Sequence, residues 1–181
     1  MTDALAEKIL SGTVGGALNT PLVWKQKNVP RKTSAAVHVE ASAPIKIDLS
    51  CRLELRVRIG LDLPWDYSLL LLHPTGKACL RRLDIRGTHR DRGAGEDYLT
   101  RTHKHKWSVD TGNGEVYAPD DIRHAPDPIA NATLASMDEE YERVVRDFIA
   151  ECKMTIGGNY AWVPPALPAT QATFDGLEDY P

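Results

Sequence analysis

The amino-acid sequence predicts an α+β fold: a mostly antiparallel sheet, a long C-terminal helix packed on one face of it, and a short N-terminal helix. Strand patterns crowd into the first 119 residues, and a single amphipathic helical pattern follows them at 136–153. The strands do not alternate with helices, as a parallel sheet built from βαβ units would require. A half-closed barrel is the alternative arrangement of the same elements. At 181 residues the chain suits one core, expected over residues 1–156, with a Pro-rich extended or disordered tail at 157–181.

"TDALAEKILSG" begins with a capping-type Thr2-Asp3, spaces Leu5 and Ile9 helically and stops at Gly12, which reads as the short first helix. "TVGGALNTP" reads as loop from its glycines, Asn19 and Pro21. "LVWKQKNV", "AAVHVEA" and "IKIDLS" then read as three short strands separated by Pro30 and Pro44. The clearest alternation is "CRLELRVRIGL": Cys51, Leu53, Leu55, Val57 and Ile59 on one face, Arg52, Glu54, Arg56 and Arg58 on the other.

"DYSLLLLH" is a more apolar strand, joined through the turn "HPTGK" to "ACLRRLDIRG". Strict alternation in this last strand groups Cys79, Arg81, Leu83 and Ile85 on the core face and Leu80, Arg82, Asp84 and Arg86 on the polar face. After the connection "GTHRDRGAGEDYLTRT", "HKHKWSVD" and "EVYAP" form a hairpin around "TGNG", and "PDDIRHAPDPIANAT" is loop. In "SMDEEYERVVRDFIAECK", Tyr141, Val144, Val145, Phe148, Ile149 and Cys152 recur at helical spacing, and Ser136 with Glu139 reads as a capping box.

Composition narrows the function classes. No apolar run is long enough to cross a bilayer, and the N-terminus lacks the pattern of a signal peptide, so a cytoplasmic protein without membrane association is expected. Cys51, Cys79 and Cys152 are scattered and read as free thiols rather than a disulfide framework or zinc knuckle. By residue count, 1–76, 77–106 and 107–181 carry net charges of +2, +5 and −10. The basic middle suits a phosphate-bearing partner or the acidic C-terminal third of the same chain.

Chemistry concentrates in that basic middle. His103 and His105 form an H-x-H on a strand, so both rings point to one side and Lys104 and Lys106 to the other. Two such imidazoles suit acid–base work or a metal. A metal needs a third ligand, for which His89, Asp84 and Asp91 are available across the hairpin. No H-E-x-x-H or Cys/His knuckle accompanies them, so no metal or other cofactor is assigned. A metal-free RNA-cleaving site would take its base and acid from His89, His103 and His105, with Asp84 beside them and Arg86 among the arginines for the phosphorane charge. Arg82, Arg90, Lys104 and Lys106 are the candidate contacts to nucleic acid or a protein partner. Tyr98 is placed to stack a base, and Trp107 reads better as a core anchor. P-loop, dinucleotide-binding and nucleophile-elbow motifs are absent from the sequence.

The string "ACLRRLDIRGTHRDR…THKHKW" resembles an uncharacterised bacterial and phage family with an LLRxDxxGxH…HxHxY core. More distantly, it resembles the TumE-type toxins of toxin–antitoxin operons. The corresponding residues are Leu83, Asp84, Gly87, His89, His103 and His105, with "EVYAPDDI" in place of a "WALPL" strand. The likeness covers roughly residues 51–156. It departs from the pattern in lacking the proline after the first histidine and in its "RGAGEDY" linker. It implies a small sheet-plus-helix domain, toxin-like or phage-defence-related, that acts as a ribonuclease, with RNA or an antitoxin-like protein as partner. A non-enzymatic binding module and a structural metal site are the rival readings.

Overall fold

The computed structural model describes residues 3–30, 35–47, 52–73, 78–87 and 102–166. Among them stand helix α1 (Asp3–Leu10) and strands β1 (Gly16–Leu18), β2 (Val23–Pro30), β3 (Ala35–Ile47), β4 (Arg52–Gly60), β5 (Tyr67–His73), β6 (Ala78–Ile85), β7 (His103–Ser108) and β8 (Gly112–Tyr117). Helix α2 (Asp138–Glu151) and strand β9 (Thr155–Ile156) follow.

The expected fold class is overturned. The described residues build one mixed sheet of nine strands, ordered β8-β7-β6-β5-β4-β3-β1-β9, with β2 also paired to β3. Most neighbours are antiparallel, but β1 and β9 run parallel. The helices are minor elements, 8 residues in α1 and 14 in α2, so the architecture is a large sheet rather than a long helix laid across a smaller one. The two shortest strands hide from sequence reading because three residues in β1 and two in β9 are too few to show a period. Backbone pairing holds them instead: Ala17 faces Thr155 and Leu18 faces Ile156, and the Gly157 amide donates to the Leu18 carbonyl at 3.0 Å.

The two strands expected around Pro44 are one strand of 13 residues. Along one side of β3 the partner changes from β2, last paired at Ser42, to β1, first paired at Ile45. Pro44 lies in that gap, where no ladder bond on this side requires the amide hydrogen it lacks. On the other side β3 pairs continuously with β4 from His38 to Lys46.

One face of the sheet is apolar. Val39, Ala41, Ala43, Ile45, Leu53, Leu55, Val57, Ile59, Leu69, Leu71, Leu83 and Ile85 are buried in a single cluster, to which α2 adds Tyr141, Val144, Val145, Phe148 and Ile149. The expected capping box does not form. Met137 is the N-cap without a side-chain bond, and Ser136 exchanges hydrogen bonds with Thr133 instead. Asp138, Glu139 and Glu140 occupy the first turn, where negative charge suits the helix dipole. The segment after β9 is anchored by two indoles: Trp162 Nε1 donates to Asp138 Oδ1 and Trp24 Nε1 to the Val163 carbonyl, both at 2.8 Å.

The opposite face carries the polar residues. Because directly paired residues share a face, the register puts Glu40, Arg58, Ser68, Asp84 and His103 in one row across β3 to β7. The adjacent row holds Ser42, Arg56, Leu70, Arg82 and His105. A register shift at Leu71/Leu72 changes the phase of β6, so Leu80 joins Leu83 and Ile85 in the core instead of the polar face expected for it.

Candidate metal centre

Asp84, His103 and His105 are brought together on this polar face by the pairing of β6 with β7. Asp84 stands opposite His103, and Arg82 opposite His105. Nε2 of His103 lies 3.3 Å from Asp84 Oδ2, and Nε2 of His105 lies 3.2 Å from the same oxygen. One ligand atom from each residue falls within a span of 4.8 Å, and all three residues are buried. The imidazoles meet edge-on, with centroids 5.1 Å apart.

The neighbours fix these groups in place. The His105 ring has Nδ1 at 2.9 Å from the Asn113 carbonyl oxygen, an atom that only accepts. Nδ1 therefore carries the hydrogen, and in the neutral ring Nε2 presents its lone pair to the Asp84 carboxylate. Two electron-rich atoms at 3.2 Å repel unless a proton or a metal ion is shared between them. The Ser68 hydroxyl donates to Asp84 Oδ1 at 2.5 Å, and Arg82 Nε sits 2.9 Å from Oδ1 and 2.8 Å from Oδ2. Burial alone would raise the Asp84 pKa. His103, His105, the Arg82 guanidinium and the Ser68 hydroxyl outweigh it and hold the carboxyl well below the usual carboxylate range.

The chemistry of the donor set and its two histidine-to-aspartate separations suit a cation. Ligand atoms about 2.1 Å from one ion stand roughly 3.4 Å apart at a tetrahedral edge and about 3 Å apart in an octahedron, which brackets the two histidine-to-aspartate distances. Two histidines and one carboxylate suit zinc, iron or manganese better than calcium or magnesium. The backbone carbonyl behind His105 and the hydroxyl behind Asp84 are outer partners of the kind that orient metal ligands.

The remaining sequence-derived candidates go elsewhere. Arg86 does not join the cluster. Its guanidinium is fully buried, donates from Nη1 to the Trp65 carbonyl at 2.6 Å, and meets Glu140 Oε1 through Nη2 at 3.0 Å, with the Ala125 carbonyl as a further acceptor. Glu140 also accepts from the Tyr67 hydroxyl at 2.8 Å. Lys104 lies on the core face beside Leu83, buried, with its ammonium on Asp121 and 3.7 Å from Glu151. Lys106 is exposed on that same side. Trp107 packs against the core. His89, Arg90, Asp91 and Tyr98 lie outside the described residues.

Three contributors escaped sequence reading. Ser68 interrupts the apolar run of β5, and its period-2 phase was the available signal. The Asn113 carbonyl is backbone and leaves no residue signature. Asp66, partly buried in the turn before β5, has its carboxyl pushed up to about 6, first by burial and then by the charge of Asp84, against the opposing pull of Arg86 and His103.

No family model matches the chain, and no curated protein or solved structure matches it either. The likeness to the phage family and to TumE-type toxins therefore rests on the motif residues alone.

Proposed function

We propose that this chain is a metal-dependent hydrolase of phosphate esters, with Asp84, His103 and His105 as the ligands of one divalent transition-metal ion. The observation that carries this reading is the convergence of two Nε2 atoms on one oxygen of Asp84, 3.2 and 3.3 Å away. In a metal-free ribonuclease the two imidazoles would work on opposite sides of a phosphate. Here both address the same carboxylate oxygen from one side, which suits a shared cation better. A metal bound there supplies a water molecule ionised near neutral pH and a positive charge for the developing phosphorane. RNA is the substrate class implied by the toxin-like resemblance, and an antitoxin-like protein in the cytoplasm is the partner that resemblance implies.

The test uses the full chain. Elemental analysis after purification with zinc or manganese should give close to one ion per chain, falling to background in Asp84→Asn and in His103→Ala/His105→Ala. Total RNA should be cleaved by the loaded wild type, and neither by the two variants nor after chelation. Background metal in the wild type sinks the metal centre. Stoichiometric metal without RNA cleavage sinks the nuclease assignment.

A further inference from the structure

Arg82 has an arrangement that the metal reading alone does not require. Its Nε is spent on Asp84, at 2.9 Å from Oδ1 and 2.8 Å from Oδ2, yet 40% of its side chain remains exposed. The carboxylate it holds is almost entirely buried. A guanidinium has five N–H donors in a planar fork, and Nε carries only one of them. Among the described residues, none of its hydrogen bonds runs through the Nη atoms. Arg86 shows the contrast, since its Nη groups are taken up by Glu140 and by backbone carbonyls.

Within its row on the polar face, Arg82 is flanked by one apolar residue and one candidate ligand. Across β5 its pairing partner is the buried Leu70, and across β7 it is His105. Beyond Leu70, Arg56 occupies the same row, and Arg58 the next row. Both are already committed: Arg56 donates to Glu54 at 2.6 Å and Arg58 to Glu40 at 2.7 Å. Arg82 is thus the arginine of this face whose carboxylate partner is also a metal ligand.

We propose that Arg82 is a substrate-binding residue whose Nη pair, anchored through Nε on Asp84, clamps a phosphoryl oxyanion that bridges to the ion held by Asp84, His103 and His105. This rests on the metal reading and adds the ligand class to it. A phosphoryl group matches the planar fork with two oxygens and can leave a third for the ion. Tethering Nε to a metal ligand sets the distance between the guanidinium and the ion before substrate arrives, so little rotamer freedom is lost on binding.

The probe is inorganic phosphate, titrated into cobalt-loaded full-length protein while the visible cobalt spectrum is followed. Wild type should show a saturable spectral change, and acetate should produce it only at far higher concentration. Arg82→Gln should weaken phosphate by roughly tenfold or more, as loss of a charge-assisted pair does. Because Arg82 also supports the ligand Asp84, the variant's cobalt affinity should fall by up to about ten- to a hundredfold, so phosphate is titrated at saturating cobalt, and Arg82→Lys should recover part of the phosphate loss. Arg58→Gln, on the same face but paired with Glu40, should bind phosphate as wild type does. An unchanged phosphate affinity in Arg82→Gln overturns the proposal, as does an equal loss in Arg58→Gln, which would reduce it to general surface charge. Failure of wild type to bind cobalt overturns the metal reading and this one together. Cobalt binding without a phosphate response overturns this one alone.

Discussion

The Arg86 guanidinium and the Glu140 carboxylate meet at 3.0 Å with neither group appreciably exposed, joining the end of β6 to the first turn of α2. Tyr67 and the Ala125 amide also donate to Glu140, so the carboxylate is the hub that ties β5, β6, the loop before α2 and α2 itself. A buried pair contributes little net stability when intact, but loss of one partner strands the other charge in a poorly solvated place. Glu140→Gln is therefore expected to cost about 3–5 kcal/mol in chemical denaturation. Metal affinity of the folded fraction should be unchanged, because Arg86 points away from Asp84. Loss of metal binding with unchanged stability would return Arg86 to the site.

Gly87 adjoins the candidate metal ligands from the backbone side. A Cβ there would stand 3.1 Å from the Asp84 Cβ and 3.7 Å from Asp66 Oδ1. Gly87→Ala must then shift Asp84 by a few tenths of an ångström, at the residue that both histidines address. Disturbing the support of a ligand typically lowers metal affinity by about ten- to a hundredfold. A cobalt competition titration of Gly87→Ala should show a loss in that range, with the melting temperature reduced only slightly. Unaltered cobalt affinity would mean that the ligand positions tolerate this push.

Much of the site was legible because β-strand alternation is a strong rule. The H-x-H spacing placed both imidazoles on one side, and Asp84 on the neighbouring strand faced them as expected. Arg86 broke the pattern for a local reason. Its φ of 54° takes the backbone into the left-handed region just past Ile85, which ends the alternation and sends its side chain to Glu140. The shift that returns Leu80 to the core is likewise a property of pairing between two strands, which neither strand displays alone. The α2 stripe from Tyr141 to Ile149 was readable because an apolar face repeats along a helix of 14 residues, whereas β1 and β9 were unreadable because pairing alone defines them. The fold class failed for that reason: the sheet grows at its β3 side through short and proline-bearing segments that resemble loop.

Lys104 offers a separate check on the proposed RNA contacts. Its ammonium is buried between Asp121 and Glu151, under 6 Å from the Tyr117 ring centroid. A phosphate backbone cannot reach it without displacing these partners. Lys104→Met should cost about 1–3 kcal/mol of stability by leaving buried acceptors short of a donor. It should leave the salt dependence of RNA binding unchanged, whereas loss of a true phosphate contact lowers that slope by nearly one. A reduced slope in Lys104→Met, measured by fluorescence anisotropy at several salt concentrations, would place Lys104 in the interface.

Cys79 lies on the polar face among the charges of Arg82, Asp84, Arg58 and Arg56, and its Sγ donates to the Arg81 carbonyl at 3.1 Å. Burial pushes its pKa up to about 11, with the arginines opposing and Asp84 reinforcing the rise. The reactive species is the thiolate, so a pKa two units higher leaves about a hundredfold less of it at pH 8. Alkylation of Cys79 by iodoacetamide, followed by peptide mass mapping, should thus be slow at pH 8 and should accelerate as pH rises toward 11. The same site in urea should react at the rate of an ordinary thiol. The sign follows from the charge: burial disfavours the anion, so a raised pKa protects the thiol at neutral pH. Rapid labelling of the folded protein at pH 7 would show instead that the surrounding guanidiniums outweigh burial, making the face around Asp84 more cationic than the arrangement of its ion pairs implies.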